Sequence, residues 1–231
     1  MDKAAFTIFL IILILSPLLF GAVHTYAYTL MALGVLTGSL LLVIKNIRKD
    51  PKSRNYQFQF HNTGPYVPFF LLLAFLIFQI IPLPISLLTL MSPEAGLVGQ
   101  KSVAASIAIV PDTQSRAWFA LSPYYYPVRM SIIRFTVYGL FFLGLTQVLN
   151  SQKRIELTVF LILLIGCFEA LYGLAQAYSG SRNIWWFKLG YQRSVAGTYI
   201  NSNHLAGLME VGLLLALQEG SAFGKNKGPK G

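Results

Sequence analysis

Residues 156–178 read ELTVFLILLIGCFEALYGLAQAY. As a helix rising about 1.5 Å per residue, such a run is long enough to cross a hydrocarbon core of about 30 Å. After Glu156 its one charged residue is Glu169. Gly166, Glu169, Gly173 and Gln176 recur in steps of three and four, so they fall on one face of the helix. A carboxylate in a membrane span costs about 2.5–3.5 kcal/mol on insertion scales and is expected to have a partner or a function. Small residues beside polar ones are how membrane helices approach closely and hydrogen-bond. The fold class follows from this stretch: an all-α, polytopic transmembrane helical bundle.

The rest of the chain agrees. Of 231 residues, 55% are hydrophobic and 11% charged, against about 25% charged in a soluble domain. Six spans are expected, at about 4–21, 25–44, 67–90, 130–149, 156–178 and 203–218. The first follows Lys3 as a signal peptide would, but the next span comes within a few residues and the cleavage motif is weak, so it reads as retained. Pro82 and Pro84 predict a kink or an early helix end in the third span.

The net charge of +10 does not indicate nucleic acid, because no basic patch interleaved with aromatics is present. The basic residues lie in short connections. Eleven of the 18 lysines and arginines fall on the side that holds the N-terminus, notably Lys45, Arg48, Lys49, Lys52, Arg54, Lys153 and Arg154. By the positive-inside rule both termini are cytoplasmic, with 219–231 a basic flexible tail. The outside loops are then 91–129 and 179–202. In the first, Val103–Val110 reads as a short strand or a surface-lying segment. Tyr124, Tyr125 and Tyr126, and in the second loop Trp185, Trp186 and Phe187, read as interfacial anchors whose faces also suit sugar or lipid stacking. Cys167 lies in an apolar run and reads as a small buried side chain. No metal-ligand spacing surrounds His24, His61 or His204, and no cofactor or metal is expected.

Three ionisable residues lie within spans: Arg134, Glu169 and Glu210. A purely structural Arg–Glu pair and an outward-opening polar cavity, with Arg134 held by the carboxylates, both fit them. The sixth span follows Asn201, Ser202 and Asn203, which are good N-caps. Its free N–H groups and positive dipole end face outward, an anion site in outline to which Arg193 adds a cation. His204 reads as a hydrogen-bonding residue at the helix start, and Glu210 as a buried partner beneath it.

The run R-S-V-A-G-T-Y-I-N-S-N-H-L-A-G-L-M-E (193–210) resembles the signature of the bacterial O-antigen ligase and O-antigen polymerase superfamily, through Arg193, Gly197, Thr198, Asn201, Asn203, His204, Ala206, Gly207 and Glu210. Ser202 stands where the family has proline. LSPYYYPVR (121–129), FEALYGLAQAYSG (168–180) and FGAVHTYAY (20–28) also resemble that family. The resemblance implies the N-terminal half of a GT-C-type membrane glycosyltransferase of the bacterial inner membrane, acting in lipopolysaccharide biosynthesis and the cell envelope. Such enzymes transfer or polymerise glycans at the periplasmic face, from an undecaprenyl-pyrophosphate donor to lipid A core or another glycan. It further implies that Arg193 contacts the pyrophosphate; the reading of the polar residues above adds Asn201, Asn203, His204 and Arg134 to the substrate site, with Glu169 and Glu210 as intramembrane support. The family's catalytic loop comes after the stretch matched here. The 231-residue chain alone is therefore expected to lack transferase activity and to need a separate C-terminal half. Ligase and polymerase are not distinguished. A secondary transporter or flippase fragment, or a structural membrane subunit, would use the same intramembrane polar residues.

Overall fold

A computed structural model describes residues 2–49, 56–58, 66–109, 118–181, 183–188 and 195–225. The described chain is mostly helical: α1 (Asp2–Leu18), α2 (Thr25–Asn46), α3 (Tyr66–Phe78), α4 (Ile85–Met91), α5 (Pro93–Ile109), α6 (Tyr125–Val148), α7 (Gln152–Ser179) and α8 (Ser202–Lys225). Two short antiparallel pairs join them, β1 (Ile47–Lys49) with β2 (Tyr56–Phe58), and β3 (Pro82–Pro84) with β4 (Trp118–Ala120). Among the described residues three helices, α2, α6 and α7, are long and apolar enough to cross a membrane. Their outward leucines and phenylalanines are exposed in rows, among them Leu30, Leu33, Leu36, Leu40, Phe160, Leu164, Leu171 and Leu174. A surface of that kind is solvated by lipid, not water, and the chain is a membrane protein.

Several expected boundaries shift. The stretch 67–90 is not one helix. α3 stops at Phe78, and Pro82 and Pro84, which lack N–H donors, flank Leu83 in a strand. Val103–Ile109 belongs to α5 and not to a strand, since Ser92 caps that helix through the Ala95 N–H (3.3 Å) and no breaker intervenes before Pro111. α8 continues through 219–225, where a flexible tail was expected. Cys167 is exposed and not buried, because a membrane helix turns apolar side chains outward as readily as inward.

The chain divides into two compact units. The first, 1–61 with 141–231, holds α1, α2, the end of α6, α7 and α8. Phe9 of α1 is fully buried in it, edge-on to Phe141 at 5.8 Å. Gly38 of α2 and Gly144 of α6 both receive its ring. A Cβ at Gly38 would lie 2.9 Å from Phe9 Cζ, and one at Gly144 would also collide with the ring. At the other end of α1, Asp2 bonds Lys45 Nζ (2.7 Å) and Arg154 Nη1 (2.9 Å). Arg154 also donates to the Val148 carbonyl (2.7 Å) and lies 4.8 Å over the Phe6 ring. One carboxylate thus ties α1 to the end of α2 and to the α6–α7 turn.

Partial burial pulls the Asp2 carboxyl upward, but the bonded Lys45 and Arg154 outweigh it and hold it below its ordinary 3.8. A depressed folded-state value contributes stability above the unfolded value, and that stability disappears as pH falls through the folded one. Melting of the wild type is therefore expected to worsen on acidification below about pH 4. Asp2→Asn should start lower and lack that acid limb, and parallel wild-type and variant melting profiles would contradict the reading.

The second unit, 62–140, holds α3, β3, α4, α5, β4 and the first part of α6. Phe69 of α3 stacks on Phe135 of α6 at 5.1 Å and fills the space beside Gly139. Leu83 pairs with Phe119 across the β3–β4 ladder. Behind that ladder Gly99 meets the Phe119 ring, and a small cavity is lined by Val98, Gly99, Phe119 and Tyr125.

Candidate functional site

The most built part of the first unit is the segment ahead of α8, held by one face of α7. Thr158, Ile165, Gly166, Glu169, Gly173 and Gln176 are buried along that face, at the spacing that makes a close helix seam. α8 lies against it through Leu205 and Met209, which reach the spaces left at Gly173 and Gly166. Beyond the contact with α8, Glu169 and Gln176 bind backbone.

Gln176 uses both ends of its amide. Its Oε1 accepts from the Gly197 N–H (3.0 Å) and the Ala196 N–H (3.4 Å), and its Nε2 donates to the carbonyls of Gly197 (2.9 Å) and Asn183 (2.8 Å). Glu169 is fully buried and accepts from the Thr198 N–H (2.8 Å) and from the Thr198 hydroxyl. Two side chains seven residues apart therefore strap residues 196–198 onto α7. The strap needs Gly197 in the left-handed region (φ 64°), where a side chain is costly, and a Cβ there would run into the Glu169 carboxylate.

The same loop closes the end of α1, whose last carbonyls have no partner within the helix. The Thr198 hydroxyl lies 2.9 Å from the Pro17 carbonyl, and Trp185 Nε1 donates to the Leu18 carbonyl (3.0 Å). Tyr199 packs over Gly21, whose Cβ would lie 2.6 Å from its ring. Burial, with the Glu169 charge adding to it, pushes the Tyr199 phenol up to about 12, so it stays neutral.

Beside the strap is a cavity of about 340 Å³ lined by Leu18, Leu19, Phe20, Tyr26, Trp185, Trp186 and Phe187. Its walls are unusual. Among the described residues the non-glycine positions with positive φ are Phe20 (59°), Ala22 (55°) and Trp185 (54°), and Phe20 and Trp185 line the cavity. With Gly21 at 64°, residues 20–22 form a left-handed turn, at a cost of about 1–2 kcal/mol for each non-glycine residue. Packing holds it: Phe20 meets His24 (4.9 Å) and Phe187 (5.7 Å), and the Trp185 N–H donates to the Tyr172 hydroxyl (2.6 Å). Strain of this kind concentrates where a surface is shaped for a ligand.

The expected site residues separate. Asn201 is the cap of α8: its Oδ1 accepts from the Asn203 N–H (3.0 Å) and its carbonyl from the His204 N–H (3.0 Å). The Asn201, Asn203 and His204 side chains are exposed around the helix mouth, with His204 6.4 Å from the Tyr199 ring. Arg193 lies outside the described residues. Arg134 is exposed and belongs to the second unit. Among the described residues Glu169 is taken up by the N–H and the hydroxyl of Thr198. One expectation changes. Glu210 is exposed and not buried, since α8 turns Leu205 and Met209 to α7 instead. Among the described residues no cluster of His, Cys, Asp and Glu could hold a metal.

Thr198, Gln176 and the 20–22 turn were not singled out by sequence reasoning as site residues. Gln176 was visible on the α7 face, but its bonds go to loop backbone 7, 20 and 21 residues away, which carries no sequence signal. Compared with known proteins, the chain matches no family model, no curated protein and no solved structure.

Proposed function

We propose that the chain holds the lipid-linked donor in an O-antigen ligase- or polymerase-like membrane glycosyltransferase, with α1, α2, α3, α6, α7 and α8 as its spans and both termini cytoplasmic in a bacterial inner membrane. The observation that carries the reading is the pairing of a strained aromatic cavity with a strapped loop and a capped helix mouth at the same end of α1 and α7. The cavity's Phe and Trp faces suit an isoprenoid chain. The α8 mouth, with its outward N–H groups, suits a pyrophosphate. The resemblance over 193–210 supplies Arg193 for the same group and sets the donor class. In this reading the strap is the positioning device and the lipid lies between Trp186 and the loop. The acceptor is lipid A core or a further glycan unit.

The test compares undecaprenyl pyrophosphate with undecaprenol, titrated into the chain in nanodiscs and followed by tryptophan fluorescence. The pyrophosphate lipid is expected to bind at least about tenfold more tightly, a margin ordinary for a charge-assisted contact. Arg193→Ala should abolish the difference, whereas Trp186→Ala should weaken both lipids alike. Equal binding of the two lipids by the wild type would overturn the proposal.

A further inference from the structure

Three helix ends of the first unit meet at Asp2, away from the strap. The carboxylate of Asp2, in the first turn of α1, holds Lys45 Nζ from the end of α2 (2.7 Å) and Arg154 Nη1 from the first turn of α7 (2.9 Å). Two cations therefore share one anion. Both Arg154 hydrogen bonds, to Asp2 and to the Val148 carbonyl, leave from Nη1, so among the described residues Nη2 and Nε keep their protons for another acceptor. The group is not sealed: Lys45 keeps 31% of its side chain exposed and Arg154 17%. Lys3 and Lys153, each the chain neighbour of a bonded residue, are exposed and bring two further charges to the same end. Glu156, exposed in the first turn of α7, offsets one of them, and the cations remain in excess.

Surplus positive charge alone would suit any anion. The apolar side chains around it narrow the partner. Lys153 heads a row on α7 in which Leu157, Phe160, Leu164 and Leu171 recur at the spacing of one helix face and are 43–67% exposed. At the end of α2, Ile44 and Ile47 flank Lys45 and are exposed as well. A nucleic acid or an acidic peptide would answer the charges and leave these side chains uncovered. A phospholipid answers both, with its phosphate at the cations and an acyl chain along the row beneath them. α7 is long and apolar enough to cross a membrane, which puts that row in hydrocarbon. A zwitterionic headgroup has no net charge to offer, so the fitting lipid is anionic.

We propose that the helix ends around Asp2 form a binding site for an anionic glycerophospholipid, with Lys3, Lys153 and the free donors of Lys45 and Arg154 on its phosphate and the Leu157–Leu171 row of α7 along its acyl chain. Asp2 has two opposed effects there. It ties the three helices together, and it withholds part of the charge of Lys45 and Arg154 from the lipid. The site is independent of the donor-binding reading above.

The test uses the full chain in phosphatidylcholine nanodiscs doped with spin-labelled phosphatidylglycerol or spin-labelled phosphatidylcholine, the immobilised fraction giving the preference for one over the other. Wild type is expected to prefer phosphatidylglycerol by at least about tenfold at low salt, each cation at a membrane surface being worth roughly fivefold, and to lose most of that preference in 1 M salt. Lys3→Gln with Lys153→Gln, both at exposed positions, should bring the preference within about twofold of unity. Lys101→Gln with Lys188→Gln removes the same net charge elsewhere on the exposed surface and should leave it unchanged. Asp2→Asn should strengthen the preference by roughly fivefold while lowering the melting temperature, a combination that a purely structural ion-pair group would not give. No preference in the wild type, equal losses in the two double variants, or a preference that falls in Asp2→Asn would each overturn the proposal. Inorganic phosphate that erases the preference where chloride of the same ionic strength does not would also overturn it, as the mark of a site for free phosphate.

Discussion

Gln176→Leu is expected to destabilise the chain by about 3–4 kcal/mol. Leucine is close in size, so packing barely changes, but the N–H groups of Gly197 and Ala196 and the Gly197 carbonyl lose their partner in a buried site, while the half-buried Asn183 carbonyl keeps the Tyr172 hydroxyl at 3.5 Å. Each buried orphan costs about 1–3 kcal/mol, and relaxation of the loop recovers part of the sum. The effect should exceed that of Glu169→Leu. There the loss of the Thr198 N–H acceptor is offset by removing a charge whose burial was itself unfavourable, and the Thr198 hydroxyl, whose one proton no longer goes to Glu169, turns to the Pro17 carbonyl at 2.9 Å. Ala177→Leu, one position on and exposed, serves as the control. Unfolding measured in lipid discs should separate Gln176→Leu from Ala177→Leu by several degrees, and a similar shift for both would show that the strap contributes little.

Phe9→Ala is the second large effect. In water-soluble cores such a truncation costs about 3–5 kcal/mol. Between membrane helices the transfer part shrinks, since lipid is as apolar as the core, but the cavity part remains. About 2–4 kcal/mol is expected, because Phe9 is fully buried and the Gly38 and Gly144 backbones that receive its ring cannot close the space. Gly144→Leu alone should overpack the same site. Combined, the two substitutions should cost less than their sum, with the coupling read by a double-mutant cycle. Strict additivity would mean that the three helices do not meet at Phe9.

What the sequence made legible follows from periodicity. The helices over 2–18, 25–46, 125–148 and 152–179, and the shared face of Gly166, Glu169, Gly173 and Gln176, rest on local spacing that a helix translates directly into geometry. The asparagine cap of α8 was equally readable, because capping is local chemistry. The partners of Glu169 and Gln176 were not. Their acceptors and donors lie on a loop whose course depends on a glycine at φ 64° and on the end of α1. The outward turn of Glu210 was missed for a related reason. Helical phase shows which residues share a face, but only the neighbouring helix decides which face is covered. Similarly, the left-handed turn at 20–22 had just Gly21 to announce it, while Phe20 and Ala22 adopt it against their own preference.

The central claim is that Glu169 and Gln176 lock residues 196–198 to α7 and so preform the mouth of α8. Amide hydrogen exchange at Gly197 and Thr198, in lipid discs without added donor, tests it most directly. Their N–H groups are bonded to Gln176 Oε1 at 3.0 Å and Glu169 Oε2 at 2.8 Å inside a buried site, so both should exchange as slowly as the middle of α7. Gln176→Leu should release Gly197 and Glu169→Leu should release Thr198. Fast exchange of both amides in the wild type, at the rate of an unstructured loop, would contradict the account.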